Sequence, residues 1–117
     1  MASRLTSEQR AIDWAVKALG IADWEIKLTV ADDRPGWTSV GELGACSTNP
    51  GYKYARVWIC PKAIKANGDS NIATLFHELL HIVGRDVGIE NGRQNDRMEF
   101  AWNKIADIMV TAYTKGR

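Results

Sequence analysis

Thr74-Leu75-Phe76-His77-Glu78-Leu79-Leu80-His81-Ile82-Val83-Gly84 holds both histidines of a 117-residue chain, four positions apart, with a glutamate directly after the first. In a helix, which turns about 100° per residue, His77 and His81 lie about 40° apart and one turn apart along the axis. Two imidazoles so placed reach one ion from a single face. Glu78 lies about 100° from His77 and about 60° from His81, so it borders that ion without being forced to ligate it. Its carboxylate is positioned to take a proton from water that the ion activates. Zinc suits such a site, because neutral imidazole is a good ligand for it and three protein ligands leave a place for water, whose pKa falls toward about 7. The plain alternative is an ordinary helix with two histidines and a chance glutamate between them, so the flanking sequence has to decide.

The flanks favour a helix. Asp69 and Ser70 are both good N-caps, and Ile72, Leu75, Phe76, Leu79, Ile82 and Val83 recur at helical spacing to give a broad apolar face. Gly84 reads as the exit. Before this helix, Thr6 and Gln9 have the spacing of a capping box, Ala11, Ile12, Ala15, Val16 and Leu19 follow at helical intervals, and Gly20 is a natural stop. Residues 24–30 alternate apolar and polar, which is the period of a half-buried strand. Residues 32–43 carry turn chemistry and glycine, and read as a loop with at most a short strand. Residues 44–48 and 54–60 are strand segments around an Asn49-Pro50-Gly51 turn, so an antiparallel hairpin is expected, with Ala55, Val57 and Ile59 on one face and Tyr54, Arg56, Trp58 and Cys60 on the other. Pro61 ends the second strand, and residues 63–68 suit a short helical turn. After a polar connection over residues 85–97, a last helix is expected from about Asn95 to Tyr113, with Met98, Ala101, Trp102, Ile105, Ile108, Met109 and Ala112 as its apolar stripe. The expected fold is α+β, a single domain over residues 1–117 with a small mixed or antiparallel sheet.

Composition narrows the class of partner. At 45% apolar the chain supports one core, and five tryptophans and three tyrosines read chiefly as core and cleft walls. Fifteen basic and fourteen acidic residues nearly cancel, which gives no strong signal for nucleic acid or an anionic membrane. The polar residues 1–10 lack the apolar core of a signal peptide and no run is long enough to span a bilayer, so a cytoplasmic location is expected. Cys46 and Cys60 form no closely spaced pair, and reduced thiols are the default.

Two histidines need a third ligand. Asp86, Glu90, Asp96 and Glu99 are the carboxylate candidates, ahead of the thiols. Glu99 falls at the edge of the last helix's apolar stripe, about 100° from its middle, a position that can lean over a seam between helices. An exposed glutamate stabilising a helix start is the alternative for it.

The motif resembles that of the zincin metallopeptidases. The metzincin extension HExxHxxGxxH is matched at Gly84, but its last ligand position falls on Val87. The gluzincin branch takes its third ligand from a glutamate on a later helix, and that resemblance points to Glu99; Asp96 is the second candidate among the carboxylates. In outline the order of elements is similar to minimal zincins of the minigluzincin, SprT-like and ImmA/IrrE-like kinds. In many gluzincins an aspartate four positions after the ligand glutamate orients a zinc histidine; here that position is Asn103, whose side-chain oxygen can also accept an imidazole N–H. The resemblance implies a zinc-dependent endopeptidase acting on peptides or proteins, with His77, His81 and Glu99 holding Zn2+ and Glu78 as general base. It also implies substrate alignment on an edge strand, a role that would fall to residues 54–60. Tyr52, Tyr54, Tyr113 and Arg56 are candidates for an additional oxyanion donor. Two competing functions belong to the same sequence: a zinc-containing binding or regulatory module without turnover, and a DNA-associated protease of the SprT-like kind.

Overall fold

The computed structural model describes residues 6–90 and 95–116. Part of the polar connection expected over residues 85–97, namely 91–94, lies outside the described residues, as do 1–5 of the polar N-terminal stretch. The element order is α1 (Ser7–Ala18), β1 (Glu25–Val30), β2 (Gly44–Asn49), β3 (Tyr54–Ile59), α2 (Pro61–Ala66), α3 (Asn71–Asp86) and α4 (Asp96–Lys115). This is the α+β class expected, with four helices and one three-stranded mixed sheet among the described residues. Among the described residues no helix is long and apolar enough to cross a membrane.

Local chemistry explains most boundaries. The Thr6 side chain accepts from the Gln9 amide at the start of α1, while the Gln9 side chain turns to Asp13 instead of completing the box. Ser70 caps α3 by accepting from Ala73 N, and Asn95 caps α4 by accepting from Arg97 N and Met98 N. Pro61, instead of only ending β3, occupies the first turn of α2, where its missing N–H costs nothing.

The sheet order is β1-β3-β2, with β1 parallel and β2 antiparallel to β3. The β2–β3 hairpin is as expected, pairing Gly44 with Ile59 and Asn49 with Tyr54. The edge assignment is corrected: β3, containing the expected edge residues 54–59, is the central strand, and β2 is the edge next to α3. In residues 54–59, Ala55, Val57 and Ile59 are fully buried on one face, while the other carries half-buried Tyr54 and Arg56 beside buried Trp58. Ala55 and Val57 face the main core with α1, α3 and α4, and Trp58 joins Ala45 and Cys60 under Trp37 on the opposite side. Residues 32–43 contain no strand.

Two further expectations are overturned. Helix α3 does not leave at Gly84 but runs on to Asp86, and the reversal comes at Gly88, whose φ is +79°. Gly84 is there for contact, since a methyl on it would come 2.5 Å from Glu90 Oε2 and 3.1 Å from Trp102 Cζ2. In α4 the inward residues are Trp102, Ala106, Met109 and Tyr113, whereas Ile108 is 63% exposed and Ala112 faces solvent. The helix is rotated from the stripe that hydrophobicity alone defines, and the rotation turns Glu99 and Asn103 toward α3.

Candidate metal centre

His77 and His81 project from α3 toward α4, and Glu99 comes from the first turn of α4. Their ligating atoms converge. His77 Nε2 lies 2.7 Å from Glu99 Oε2, His81 Nε2 lies 3.0 Å from Glu99 Oε1, and the two Nε2 atoms are 3.3 Å apart. A tetrahedral ion with bonds of about 2.0–2.1 Å spaces its ligand atoms roughly 3.3 Å apart. The two histidines have that spacing, and the carboxylate sits a little inside it. Among the described residues this is the one group of three that fits an ion, so the site is a possible metal site whose metal the geometry does not name.

The protonation state of His77 suits a ligand. Burial holds its pKa below the ordinary histidine value and the neighbouring His81 adds to this, against the opposing pull of Glu99 and of the Asn103 side chain. Neutral imidazole is the form that donates a lone pair. His77 Nδ1 is buried without a hydrogen bond among the described residues. Asn103 lines the same cleft and its side chain acts on the His77 ring, while Nδ1 itself stays without a hydrogen bond.

His81 is held more firmly. Its Nδ1–H donates to Glu90 Oε1 at 2.6 Å, which leaves the Nε2 lone pair facing Glu99 and His77. Glu90 is 8% exposed, and its Oε1 also accepts from Trp102 Nε1 at 3.3 Å. A carboxylate behind the imidazole fixes the tautomer and makes the outer nitrogen a better donor. Glu90 thus positions His81 and is not the third ligand.

The remaining candidates fall away for separate reasons. Asp86 accepts from Trp24 Nε1 at 2.9 Å and braces the loop before β1 against the end of α3. Asp96 is exposed at the start of α4 and outside the convergent group. Val87, the residue at the metzincin ligand position, is 61% exposed. Cys46 stands outside the convergent group, and burial, with Glu78 and Glu90 nearby, pushes its thiol well above the usual range.

Glu78 lies on the β2 side of α3 and is 8% exposed. Burial, reinforced by the charges of Glu99, Glu42 and Glu90, pushes its carboxyl up to about 8. Its affinity for a proton is therefore tuned into the neutral range, and a dication held by His77 and His81 would draw it back toward the ionised form. Both His77 and Glu78 line one open cleft of about 990 Å³, walled by α3, the start of α4, the free edge of β2 and the loop from Trp37 to Leu43. None of Tyr52, Tyr54, Tyr113 and Arg56 lines it: Tyr113 packs on Trp14 and Phe76, and Arg56 stacks on Trp37 and bonds Ser47.

Sequence reasoning singled out the three residues that converge, but it missed the contact of Glu90 with His81 and the edge position of β2. Glu90 lies beyond the helix end, where no periodicity reaches it. The usable signal was Gly84, because a glycine kept inside an apolar helix usually marks a close neighbour. No family model, curated protein or solved structure matches this chain.

Proposed function

We propose that this chain is a small zinc-dependent metalloendopeptidase, similar in its site to the minimal gluzincin-like zincins. The observation that carries the reading is the convergence of two histidine Nε2 atoms and the Glu99 carboxylate beside a buried glutamate of raised pKa, in an open cleft with a free strand edge. His77, His81 and Glu99 would hold Zn2+, which supplies a Lewis acid that polarises a peptide carbonyl and acidifies water. Glu90 fixes the His81 ring through Nδ1. Glu78 takes the proton from the attacking water at its carboxylate and delivers it to the departing amine. The free edge of β2, not residues 54–60, offers the backbone N–H and C=O groups for an extended peptide.

Glu78→Gln tests this reading, because it keeps the side-chain size and removes the base. Zinc content should stay at about one per chain and the fold intact, while hydrolysis of a mixed peptide library drops by about 10² to 10⁴-fold. Equal, chelator-sensitive turnover by parent and variant would rule out Glu78 as the base. A zinc-loaded parent that binds peptides and cuts none would show a binding module instead.

A further inference from the structure

The cleft is not uniform in charge. Apart from the residues placed in the chemistry, its acidic lining among the described residues is Glu42, Asp69 and Asp107, and its single lysine or arginine among them is Arg85. Arg85 is half-buried one turn beyond His81, in the last turn of α3. Among the described residues it forms no ion pair: the salt bridges join Lys53 to Asp23 and the two histidines to Glu90 and Glu99. A cation on a helix's last turn gains from the macrodipole, which is a structural reason to have it. That reason does not require it to line the cleft.

The strand and the helix fix which end of a bound peptide would meet it. Gly44, the first residue of β2, lies against Thr74 in the first turn of α3, while Cys46 feels the charges of Glu78, Glu90 and Arg85 farther along. Strand and helix therefore run in the same sense past the metal ligands. Antiparallel pairing is the more stable kind and is the kind β2 already makes with β3. A peptide added antiparallel to β2 enters with its N-terminal part at the Arg85 end and leaves toward Gly44, Glu42 and Asp69. Arg85 lies four residues past His81, about 6 Å along the helix axis, or roughly two residues of extended chain.

We propose that Arg85 is a specificity-determining residue that receives an acidic side chain two or three residues before the scissile bond, so that the substrate class is peptides with Asp or Glu upstream. This rests on the peptidase reading above. Elsewhere in the cleft an upstream carboxylate would meet Glu42, Asp69 or Asp107, so repulsion reinforces the one favourable register.

The test uses the full zinc-loaded chain and one set of peptides that carry Glu, Gln or Lys at each of the three positions before the cleaved bond. The parent should prefer Glu to Lys at one position by about tenfold in kcat/KM, the scale of a charge-assisted contact. Arg85→Gln should flatten that preference and Arg85→Glu should invert it, both at unchanged zinc content and unfolding temperature. If the helix end does not tolerate the inverted charge, Arg85→Gln alone carries the test. The zinc-loaded Glu78→Gln variant, titrated with the same peptides, should rank them in the same order by affinity. Charge-selective binding that depends on Arg85, with no cleavage by the parent, would overturn the peptidase reading and leave the subsite standing. Cleavage and binding both indifferent to upstream charge, or a Glu preference that survives Arg85→Gln, would overturn the subsite.

Discussion

Helices α3 and α4 share the seam that holds the candidate metal site, yet they are placed by different forces. Helix α3 is packed against β2, β3, α1, α2 and α4, and it buries Leu75, Phe76, Leu79, Leu80 and Ile82. Its orientation is set by the apolar area it hides, and polar residues take the one strip that faces the cleft. Helix α4 buries only Trp102, Ala106, Met109 and Tyr113, while Phe100, Ile105 and Ile108 remain exposed. Its rotation follows the contacts of Glu99 with both histidines and of Trp102 with Glu90 and the Gly84 backbone. A central helix is thus aimed by hydrophobicity, and a peripheral helix can be aimed by the polar site it serves.

The largest effect separating the two belongs to the α3 core. Phe76 is fully buried, with Trp14 and Tyr113 against its ring. Phe76→Ala should cost about 3–5 kcal/mol, the sum of lost transfer energy and a cavity the neighbours only partly fill. Chemical denaturation of the metal-free protein measures it, with no contribution from bound ion. A loss under about 1 kcal/mol would mean that α3 is not the packed axis of the fold.

That difference between the helices also decides how much was readable beforehand. Every element has a signal in its own residues: Thr6, Ser70 and Asn95 as caps, alternation in residues 24–30, and the turn at Asn49-Pro50-Gly51. The convergence of His77, His81 and Glu99 was legible because a four-residue spacing is a local property of one helix and Glu99 could be weighed as a position on another. The order of strands was not, because pairing β1 with β3 joins residues that are far apart in sequence and no local pattern records it. The end of α3 was misread because Gly84 serves Trp102 and Glu90, which only the folded chain brings near. The stripe on α4 was misread because Ile105 and Ile108 satisfy helical periodicity as well as the residues that are buried.

A smaller effect probes the polar site. Glu90→Gln keeps the shape behind His81 but replaces the charged acceptor with a neutral amide. The ligands themselves stay in place, so metal affinity should fall by about 10- to 100-fold without abolishing binding. Competition against a chelator of known affinity gives the number, and Asp96→Ala serves as the exposed control, which should change nothing. An unchanged affinity for Glu90→Gln would mean that the Glu90–His81 contact does no positioning.

The smallest predicted effect is the sharpest on the rotation of α4. At Ile108 the two descriptions of this helix disagree: periodicity puts the residue in the apolar stripe, and the structure leaves it 63% exposed. Ile108→Lys would bury an unpaired ammonium in the first case, at a cost of several kcal/mol. In the second it adds a solvated charge to an exposed helix face and should shift stability by no more than about 0.5 kcal/mol. Metal affinity sharpens the same choice, because a helix turned to bury Ile108 would carry Glu99 away from His77 and His81. The expected result is therefore a pair of null effects, on unfolding free energy and on metal affinity. A destabilisation of several kcal/mol would break the rotated arrangement and take Glu99 away from the two histidines with it.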